Sequence, residues 1–393
     1  MLKTTLIKMN SSHCDILIQG GGPVGLACAA WTLQKFPEAR IILLDRNPLN
    51  DDDLASADSR GIALSHGSKL LLDTIDAWPK ESAQIHRVHV SQAGHFGRAL
   101  MTREELKQDA LGHIIRYRDI HMALRHALRT IQAKSPNFIW KHINKDVEEN
   151  SIYAQCIVHA EGGLFKTQDW VESGRDYGQS ALVGLVQVEN AEPHQAWERF
   201  TAEGPLAVLP SHYGHNILNL VWCGSPESSQ HRLQLSDTDF LVELQKEFGS
   251  RIGRFLKIQD RRLYELGLNY RKEITHDNEV WIGNAAQTLH PVAGQGLNLG
   301  LRDAFLLSEK LVEVFSGAKE NQSPADVQNA LQGYAQSRKT DRTTTIGLTD
   351  FMARVFTSNL APVVVARGLA LSALQWLPPF KTALARQMMF GRR

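Results

Sequence analysis

Two arrangements of hydrophobic and polar positions alternate along the chain. An apolar run at residues 15–19 is followed by a glycine-rich turn and then by small and apolar residues at helical spacing over residues 26–33. A second apolar run, at 41–44, ends in Asp45. Because parallel strands need a crossover connection, this order predicts a β-α-β unit with a parallel sheet. Strand, glycine-rich turn and helix return after residue 280.

The middle of the chain has a different pattern. Short apolar stretches at residues 181–186, 205–210 and 217–222 predict strands of a second, mostly antiparallel sheet, which we expect to form the floor of a substrate domain. Helices are also predicted over residues 65–72 and 117–133. The chain should close with helices interrupted at Pro362 and at the Pro378-Pro379 pair.

Composition narrows the class of protein. The 393 residues suit two domains or one large elaborated domain. With 43 Lys and Arg against 42 Asp and Glu, the net charge of +1 gives no basic field for nucleic acid. A mean hydropathy of −0.26 excludes a polytopic membrane protein. Residues 1–14 lack the apolar core and cleavage site of a secretory signal, so we expect a cytoplasmic location.

Metal binding and disulfide bonding are not predicted. The four cysteines are far apart and form no CxxC pair, which favours reduced thiols. The histidines show no HExxH pattern and no carboxylate at ligand spacing. The acidic residues 51–53 are interpreted as part of a solvated loop, because a cation site needs convergent ligands.

The first turn carries a dinucleotide-binding pattern. Gly20, Gly22 and Gly25 form a GxGxxG motif between a strand and a helix, where glycines allow a pyrophosphate to approach the backbone and the helix N-terminus favours its charge. Asp45 lies twenty positions after Gly25, at the end of the next strand, where a carboxylate can accept hydrogen bonds from a ribose.

The second turn, within residues 281–303, has its own physical role. A helix from about residue 297 to 315 would point its N-terminal N–H groups at residues 294–298 and favour an anionic group there. Gly294 and Gly296 let backbone amides approach closely, and Pro291 rigidifies the turn.

This string resembles the flavin-contacting segment of the class A flavoprotein monooxygenases, which have the para-hydroxybenzoate hydroxylase fold. Most members begin it with Gly-Asp-Ala-Ala-His, whereas residues 283–287 here read Gly-Asn-Ala-Ala-Gln. That variant is similar to the ubiquinone-biosynthesis branch, of the 2-octaprenyl-6-methoxyphenol hydroxylase type. The resemblance covers nearly the whole chain and includes the stretches 60–65, 89–91, 198–210, 221–223 and 341–350.

The resemblance implies bound FAD, NADH or NADPH as reductant, and insertion of one oxygen atom of O2 into the ring of a polyprenyl (methoxy)phenol. The turn glycines would hold the pyrophosphate, Asp45 the adenosine ribose, and Arg60 the ribityl or phosphate region. Asn284 replaces a family aspartate and can still donate and accept hydrogen bonds. The cofactor-binding residues implied are Gly20, Gly22, Gly25, Asp45, Arg60, Asn284, Pro291, Gly294, Gln295, Gly296, Leu297 and Asn298.

The implied fold class is α/β, with a Rossmann-like FAD-binding domain, an interleaved, mostly antiparallel substrate domain and C-terminal helices. We expect the FAD-binding domain in segments 1–80, 116–177 (shortened) and 276–345, the substrate domain in 81–115 and 178–275, and a helical tail in 346–393. The family's second motif, Ala-Asp-Gly, is eroded here, because Glu161 stands for its aspartate and no Ser or Arg follows in register. That motif bears on FAD and nicotinamide contacts.

No general base is evident. His290 is the nearest candidate within a motif, although a hydrogen-bonded structural role is favoured. Residues 351–393 carry six basic and no acidic residues among apolar ones, which fits either peripheral contact with the inner face of a membrane or a helix packed on the core with a cationic outer face.

Two alternatives to the main hypothesis stay open. One is hydroxylation of another ring carbon in the same pathway, and the other is a non-catalytic flavin-binding scaffold or lipid-escort subunit. Assembly with other ubiquinone-biosynthesis proteins is a further expectation.

Overall fold

A computed structural model describes residues 12–46, 60–143, 152–163, 173–317, 323–357 and 361–391. The acidic loop expected at residues 51–53 lies outside these ranges. The strands are, in chain order, β1 (Ser12–Gln19), β2 (Ile41–Asp45), β3 (Gly61–Ser65), β4 (Ala83–Ile85), β5 (Arg87–Gln92), β6 (Arg98–Thr102), β7 (Gly112–Arg116), β8 (Ile139–His142), β9 (Ile152–His159), β10 (Ser173–Val188), β11 (Gln195–Phe200), β12 (Pro205–Pro210), β13 (Ile217–Gly224), β14 (Phe255–Tyr270), β15 (Thr275–His276), β16 (Glu279–Trp281) and β17 (Gln287–Thr288).

The helices begin and end close to the proline, glycine and capping signals in the sequence. They are, in chain order, α1 (Pro23–Lys35), α2 (His66–Asp73), α3 (Arg103–Leu106), α4 (Tyr117–Gln132), α5 (Pro226–Gln234), α6 (Asp237–Phe248), α7 (Gln295–Phe315), α8 (Pro324–Thr357), α9 (Ala361–Trp376) and α10 (Pro378–Phe390). The helices predicted over residues 26–33, 65–72, 117–133 and 297–315 are thus confirmed, as is the interruption of the C-terminal helices next to their prolines.

The first sheet is mostly parallel and has the strand order β15-β16-β9-β1-β2-β8. Its central strands pair in parallel register, and only β15 and β16 run antiparallel. Ile16, Ile18 and Leu43 are fully buried on the face of the sheet that packs against α1, α4 and α7. Helix α1 packs against both α4 and α7. The predicted β-α-β unit is confirmed.

The second sheet has the strand order β17-β14-β10-β13-β12-β11-β5-β6 and is antiparallel except between β11 and β5. Successive side chains point to opposite faces of a strand. On β12, Leu206 and Val208 belong to a core with Phe240 of α6, whereas Ala207 and Leu209 line a cavity on the other face. The expected antiparallel floor is therefore present. A small third sheet has the order β3-β7-β4.

The C-terminal helices cover that cavity. Helix α9 packs on β6 and β5, and α10 packs on α2 and α3. Arg367 of α9 donates to Gln92 Oε1 at 2.7 Å, and Lys381 of α10 forms an ion pair with Glu105 at 2.5 Å. Both basic side chains are buried. The expectation that the basic residues of this segment face outward is wrong for these two, because each finds a polar partner, on β5 and on α3 respectively.

No single helix in the described ranges is long and apolar enough to cross a bilayer. Residues of α9 and α10 meet that test of length and composition only as a pair, which is bent by 97°.

A buried cluster of charges joins α7, α8 and β17. Asp303 accepts from Arg338 Nε at 2.8 Å and from Gln287 Nε2 at 2.7 Å. Asp341 accepts from Arg338 at 2.7 Å and from Arg302 at 2.9 Å. The side-chain oxygen of Gln287 accepts a hydrogen bond from Arg342 Nε at 2.8 Å. Arg338 thus bridges two buried carboxylates, and the cluster fixes the second glycine-rich turn against two helices.

Replacing Arg338 with methionine should destabilise the fold. The change leaves two buried carboxylates without their shared cation, and such a loss costs about 3–5 kcal/mol of unfolding free energy. Urea denaturation followed by circular dichroism measures it. The matched control is Lys310→Met, which removes an exposed pair with Glu313 and should change stability by less than about 0.5 kcal/mol. A loss below about 1 kcal/mol for Arg338→Met would contradict the bridging role.

Candidate active site

The first glycine-rich turn uses its glycines in two ways. Gly20 has φ +111°, and a Cβ there would lie 2.5 Å from the Ala160 carbonyl oxygen. A Cβ on Gly25 would lie 2.0 Å from the Gly20 oxygen. These two are required by packing of the turn itself. Gly22 is different, because the nearest atom to its Cβ position is the Tyr117 hydroxyl at 4.0 Å and the residue lines the cavity.

Helix α1 presents an uncapped N-terminus at this turn. Its N-cap residue is Gly22, no side chain caps it, and Pro23 occupies the first turn. The first N–H groups of a helix have no partner within the helix and carry a partial positive charge. Gly22, Pro23 and Val24 all line the cavity, so this end of α1 is suited to an anionic group.

Asp45 lies directly behind the turn. It ends β2, is 1% exposed, and its Oδ2 would lie 2.0 Å from a Cβ on Gly21. The guanidinium of Arg125 is 4.0 Å away and stacks over the ring of Trp140. Arg125 was not predicted from the sequence. The available signal was its position one residue after Leu124 on α4, on the face that also buries Ile120 and Leu128.

The second turn leads into α7 through a left-handed residue. Gly294 has φ +61° and is the N-cap of α7, which begins at Gln295, two residues before the predicted start. No side chain caps this helix, and a Cβ on Gly296 would meet open space. The second uncapped helix N-terminus therefore borders the same cavity as the first.

Two amide side chains of this turn are engaged in the protein. Asn298 accepts from the backbone N–H of Ser65 at 2.8 Å and donates to the Ala63 oxygen at 2.9 Å, which ties α7 to β3. Asn284 donates to the Gly163 oxygen at 3.0 Å. The Asn at the family's aspartate position thus binds the backbone that follows β9.

The cavity has a volume of about 1020 Å³ and is bordered by both turns, the second sheet and α8 to α10. Gly20, Gly25 and Asp45 lie behind the first turn and do not line it. The predicted cofactor-binding residues that line it are Gly22, Arg60, Asn284, Pro291, Gly294, Gln295, Gly296, Leu297 and Asn298. Residues separated by almost 280 positions in sequence are thus brought to one wall.

Arg60 stands between the turns and the floor of the second sheet. Its guanidinium lies 4.3 Å from the ring centre of Tyr264 and 5.7 Å from that of Tyr117. Stacking on two rings holds a cation in place while its planar group remains at the cavity wall.

His290 does not line the cavity. It is fully buried, its Nδ1 accepts the Val292 N–H at 3.1 Å, and its Nε2 lies 3.1 Å from Gln179 Oε1. Burial lowers the pKa of His290 to about 4, so the ring is neutral near pH 7. Both ring nitrogens are engaged in holding the turn.

The Glu161 region forms a small polar cluster. His159 is stacked on Trp281, lies 2.8 Å from Glu279 and 3.7 Å from Glu161. Burial lowers the pKa of His159, but hydrogen bonds and charges from Glu161 and Glu279 outweigh it, and the net result is a raised pKa. Glu161 is therefore paired with a histidine, while the following Gly162 and Gly163 line the cavity.

Glu198 is a cavity residue that sequence reasoning did not single out. It lies on β11 within a stretch that was noted only as part of the family resemblance. Burial raises the pKa of Glu198 to about 7. The signal in the sequence was a carboxylate two positions from the apolar residues Ala196 and Phe200, with which it shares one face of the strand.

The residues present fit a flavin dinucleotide. Two uncapped helix N-termini direct N–H groups toward one cavity, which suits a pyrophosphate and an anionic ring. A side chain at Gly22 or Gly296 would project into that space. Within the described residues, no group of three or more His, Cys, Asp or Glu side chains could hold a metal ion.

Comparison with known proteins supports FAD as the cofactor. Residues 142–330 match the FAD binding domain family. The chain is 28% identical to ubiquinone hydroxylase UbiL of Rhodospirillum rubrum, over 95% of this chain and 89% of that protein. It is 27% identical to 3-demethoxyubiquinol 3-hydroxylase of Escherichia coli, over 93% and 96%. The crystal structure of p-nitrophenol 4-monooxygenase PnpA from Pseudomonas putida superposes with a TM-score of 0.69 at 15% identity, covering 97% and 100%.

The fold is that of FAD-dependent monooxygenases. Within that class, the chain is similar over nearly its whole length to hydroxylases of ubiquinone biosynthesis, so the resemblance stated from the sequence is confirmed.

Proposed function

We propose that this protein hydroxylates the aromatic ring of a polyprenyl (methoxy)phenol in ubiquinone biosynthesis. The observation that carries the proposal is the continuity of the cavity, in which the wall formed by the glycine-rich turns faces a floor of small apolar side chains. The pathway in this proposal is taken from the names of the similar proteins, which are hydroxylases of ubiquinone or demethoxyubiquinol. The ring carbon is not assigned by these residues, and hydroxylation of another carbon of the same ring remains the alternative.

FAD is held, in this proposal, by both turns. The N-terminus of α1 at Gly22 binds the pyrophosphate, with Gly20 and Gly25 shaping the turn behind it. Asp45 binds the ribose, and Arg60 the ribityl or phosphate region. The N-terminus of α7, from Gly294 to Asn298, supports the flavin ring, with Asn284 and Pro291 completing the wall.

The bound cofactor would supply the redox chemistry, since it can accept electrons from NADH or NADPH and pass them to O2. The overall change is phenol ring C–H plus O2, NAD(P)H and one proton to ring C–OH, NAD(P)+ and water. The protein's part is to orient the ring and to exclude water, which the apolar row of Val90, Ala207 and Val221 does on the floor.

A single preparation tests the function. The purified chain should show bound-flavin absorbance, oxidise NADH or NADPH faster when a prenylphenol is added, and yield a product heavier by one oxygen atom. Flavin that is bound but never reduced would instead favour a non-catalytic scaffold. A preparation that neither contains nor takes up flavin would overturn both interpretations.

Gly296→Ala should weaken FAD binding without unfolding the chain. The new methyl group projects into the space assigned to the cofactor, and overpacking by one methyl costs about 1–3 kcal/mol, which is about 5- to 150-fold in Kd. The measurement is flavin fluorescence quenching during reconstitution of the apoprotein. Gly333→Ala on α8 is the matched control, because its Cβ also meets open space but lies outside the cavity. Equal FAD affinity in both variants would contradict the assignment of this wall.

We also propose peripheral contact with a lipid bilayer through α9 and the turn into α10. Val365, Leu369 and Trp376 recur at positions that share one face of α9, and they are 49%, 58% and 80% exposed. Phe380, at 68%, extends this apolar surface. Arg386 is exposed on α10 and suits an anionic headgroup. A polyprenyl substrate resides in the bilayer, so its enzyme gains from this contact.

The double variant Trp376→Ser, Phe380→Ser should lose binding to vesicles that contain anionic phospholipid. We expect a drop of about tenfold or more in the partition coefficient, since two large apolar side chains leave the bilayer. Vesicle co-sedimentation measures it, with Tyr153→Ser, which is 63% exposed on the FAD-domain sheet, as control. Unchanged vesicle binding would contradict the proposal. Dimers that the double variant abolishes would identify protein assembly as the role of this surface instead.

A further inference from the structure

The floor of the cavity contains one acidic side chain within an apolar row. In the register of the second sheet, Glu198 of β11 lies beside Val90 of β5 and Ala207 of β12. The row continues to Ala99 on β6 and Val221 on β13. All five side chains line the cavity. The Glu198 carboxyl group is therefore directed at the space assigned to the substrate, with aliphatic groups on both sides.

Within the described residues, the Glu198 side chain forms no hydrogen bond or ion pair. By contrast, two cations that line the cavity are held by other groups: Arg367 by Gln92 and the Val355 oxygen, and Lys381 by Glu105 and the Leu100 oxygen. The other ionisable side chains that line the cavity are Arg60, Tyr117, Cys223, Tyr264, Glu265, Arg367 and Lys381. Glu198 is half-buried at the cavity wall, and a ligand with a hydroxyl group would supply the hydrogen-bond partner that its carboxyl group lacks in the protein.

The environment of Glu198 sets when it ionises. Burial alone raises its pKa to about 7, and the Cys223 thiol on β13, whose own pKa burial raises, stays neutral. The carboxyl group is thus ready to take or give a proton near neutral pH, which is the range a general acid-base catalyst needs.

We propose that Glu198 is the catalytic base of the reaction, accepting the hydrogen bond and then the proton of the substrate's phenol hydroxyl group. This inference rests on the proposed function for the identity of the phenol. The catalytic base then lies on the floor of the cavity. His290 is not placed for this role, because it is buried in the second turn and does not line the cavity.

The proton balance is simple. The phenol O–H bond breaks, its electron pair stays on the oxygen, and the proton forms the O–H bond of the Glu198 carboxylic acid. The phenolate raises electron density at the ring carbons ortho and para to it, where an oxygen atom from O2 is added. The hydrogen on that carbon leaves as a proton, and Glu198 returns its proton to the phenol oxygen. The carboxylate is restored, and NAD(P)H and O2 are consumed as in the overall reaction above.

Binding tests the contact without turnover. Isothermal titration calorimetry at about pH 8, where the carboxylate is ionised, compares a short-chain prenylphenol with its methyl ether, which cannot donate. The wild-type protein should prefer the phenol by about tenfold or more, the value of one hydrogen bond to a charged group. Glu198→Leu should lose this preference, and Glu198→Gln, which retains a neutral acceptor, should keep part of it. The control Glu192→Gln alters an exposed carboxylate outside the cavity and should keep all of it.

Turnover tests the proton transfer. Glu198→Gln should lower hydroxylation by about 100-fold, the usual contribution of a general base, while NAD(P)H oxidation continues and yields hydrogen peroxide. In the wild-type protein kcat/KM should rise with pH to about 7 and then level, because the ionised carboxylate is the active form and its pKa is raised. The variant should lack this limb of the pH profile.

Each outcome decides the proposal. A phenol preference that survives in Glu198→Leu, or that is absent from the wild-type protein, overturns the role of Glu198. Hydroxylation by Glu198→Gln at the wild-type rate with the same pH profile does so too. If the wild-type protein prefers the phenol through Glu198 but never hydroxylates it, the proposed function fails while the assigned contact stands.

Discussion

The bridge that Arg338 makes between Asp303 and Asp341 determines where the second glycine-rich turn lies. Gln287, at the start of that turn, shares Asp303 with it, and Arg302 shares Asp341. Buried charges are tolerated only when each is paired, so the relative position of α7 and α8 is constrained to one in which each carboxylate meets a guanidinium group. The direction of α7, and thus the place at which its N-terminus meets the cavity, follows from this arrangement.

The cavity is a product of chain order as much as of packing. Its wall comes from the parallel sheet and the two turns, its floor from an antiparallel sheet inserted between segments of the first, and its cover from the last two helices. The alternation on β12 shows how one strand serves two purposes, with Leu206 and Val208 in a core and Ala207 and Leu209 in the cavity. Small side chains on the cavity face leave the room that a ring needs.

Local constraints explain how much the sequence predicted. The strand, turn and helix around Gly20 and Gly25 are dictated by backbone contacts over a few residues, and these elements were correctly placed. Arg125, Glu198 and Arg367 could not be placed in the same way, because a charged residue in an amphipathic segment looks exposed until its neighbours in space are known. Glu198 shares its strand face with Ala196 and Phe200, and only the sheet register shows that this face lines a cavity.

Two of the basic residues near the C-terminus serve as anchors. Arg367 and Lys381 point inward and anchor α9 and α10 to β5, β6 and α3. The outer face of α9 is left with apolar side chains, while Leu371 and Leu374 on the same helix line the cavity. A helix with two apolar faces is stabilised when apolar groups cover both of those faces. A long-chain ligand inside and a bilayer outside would meet that requirement together, which a core-packed helix with a charged outer face would not.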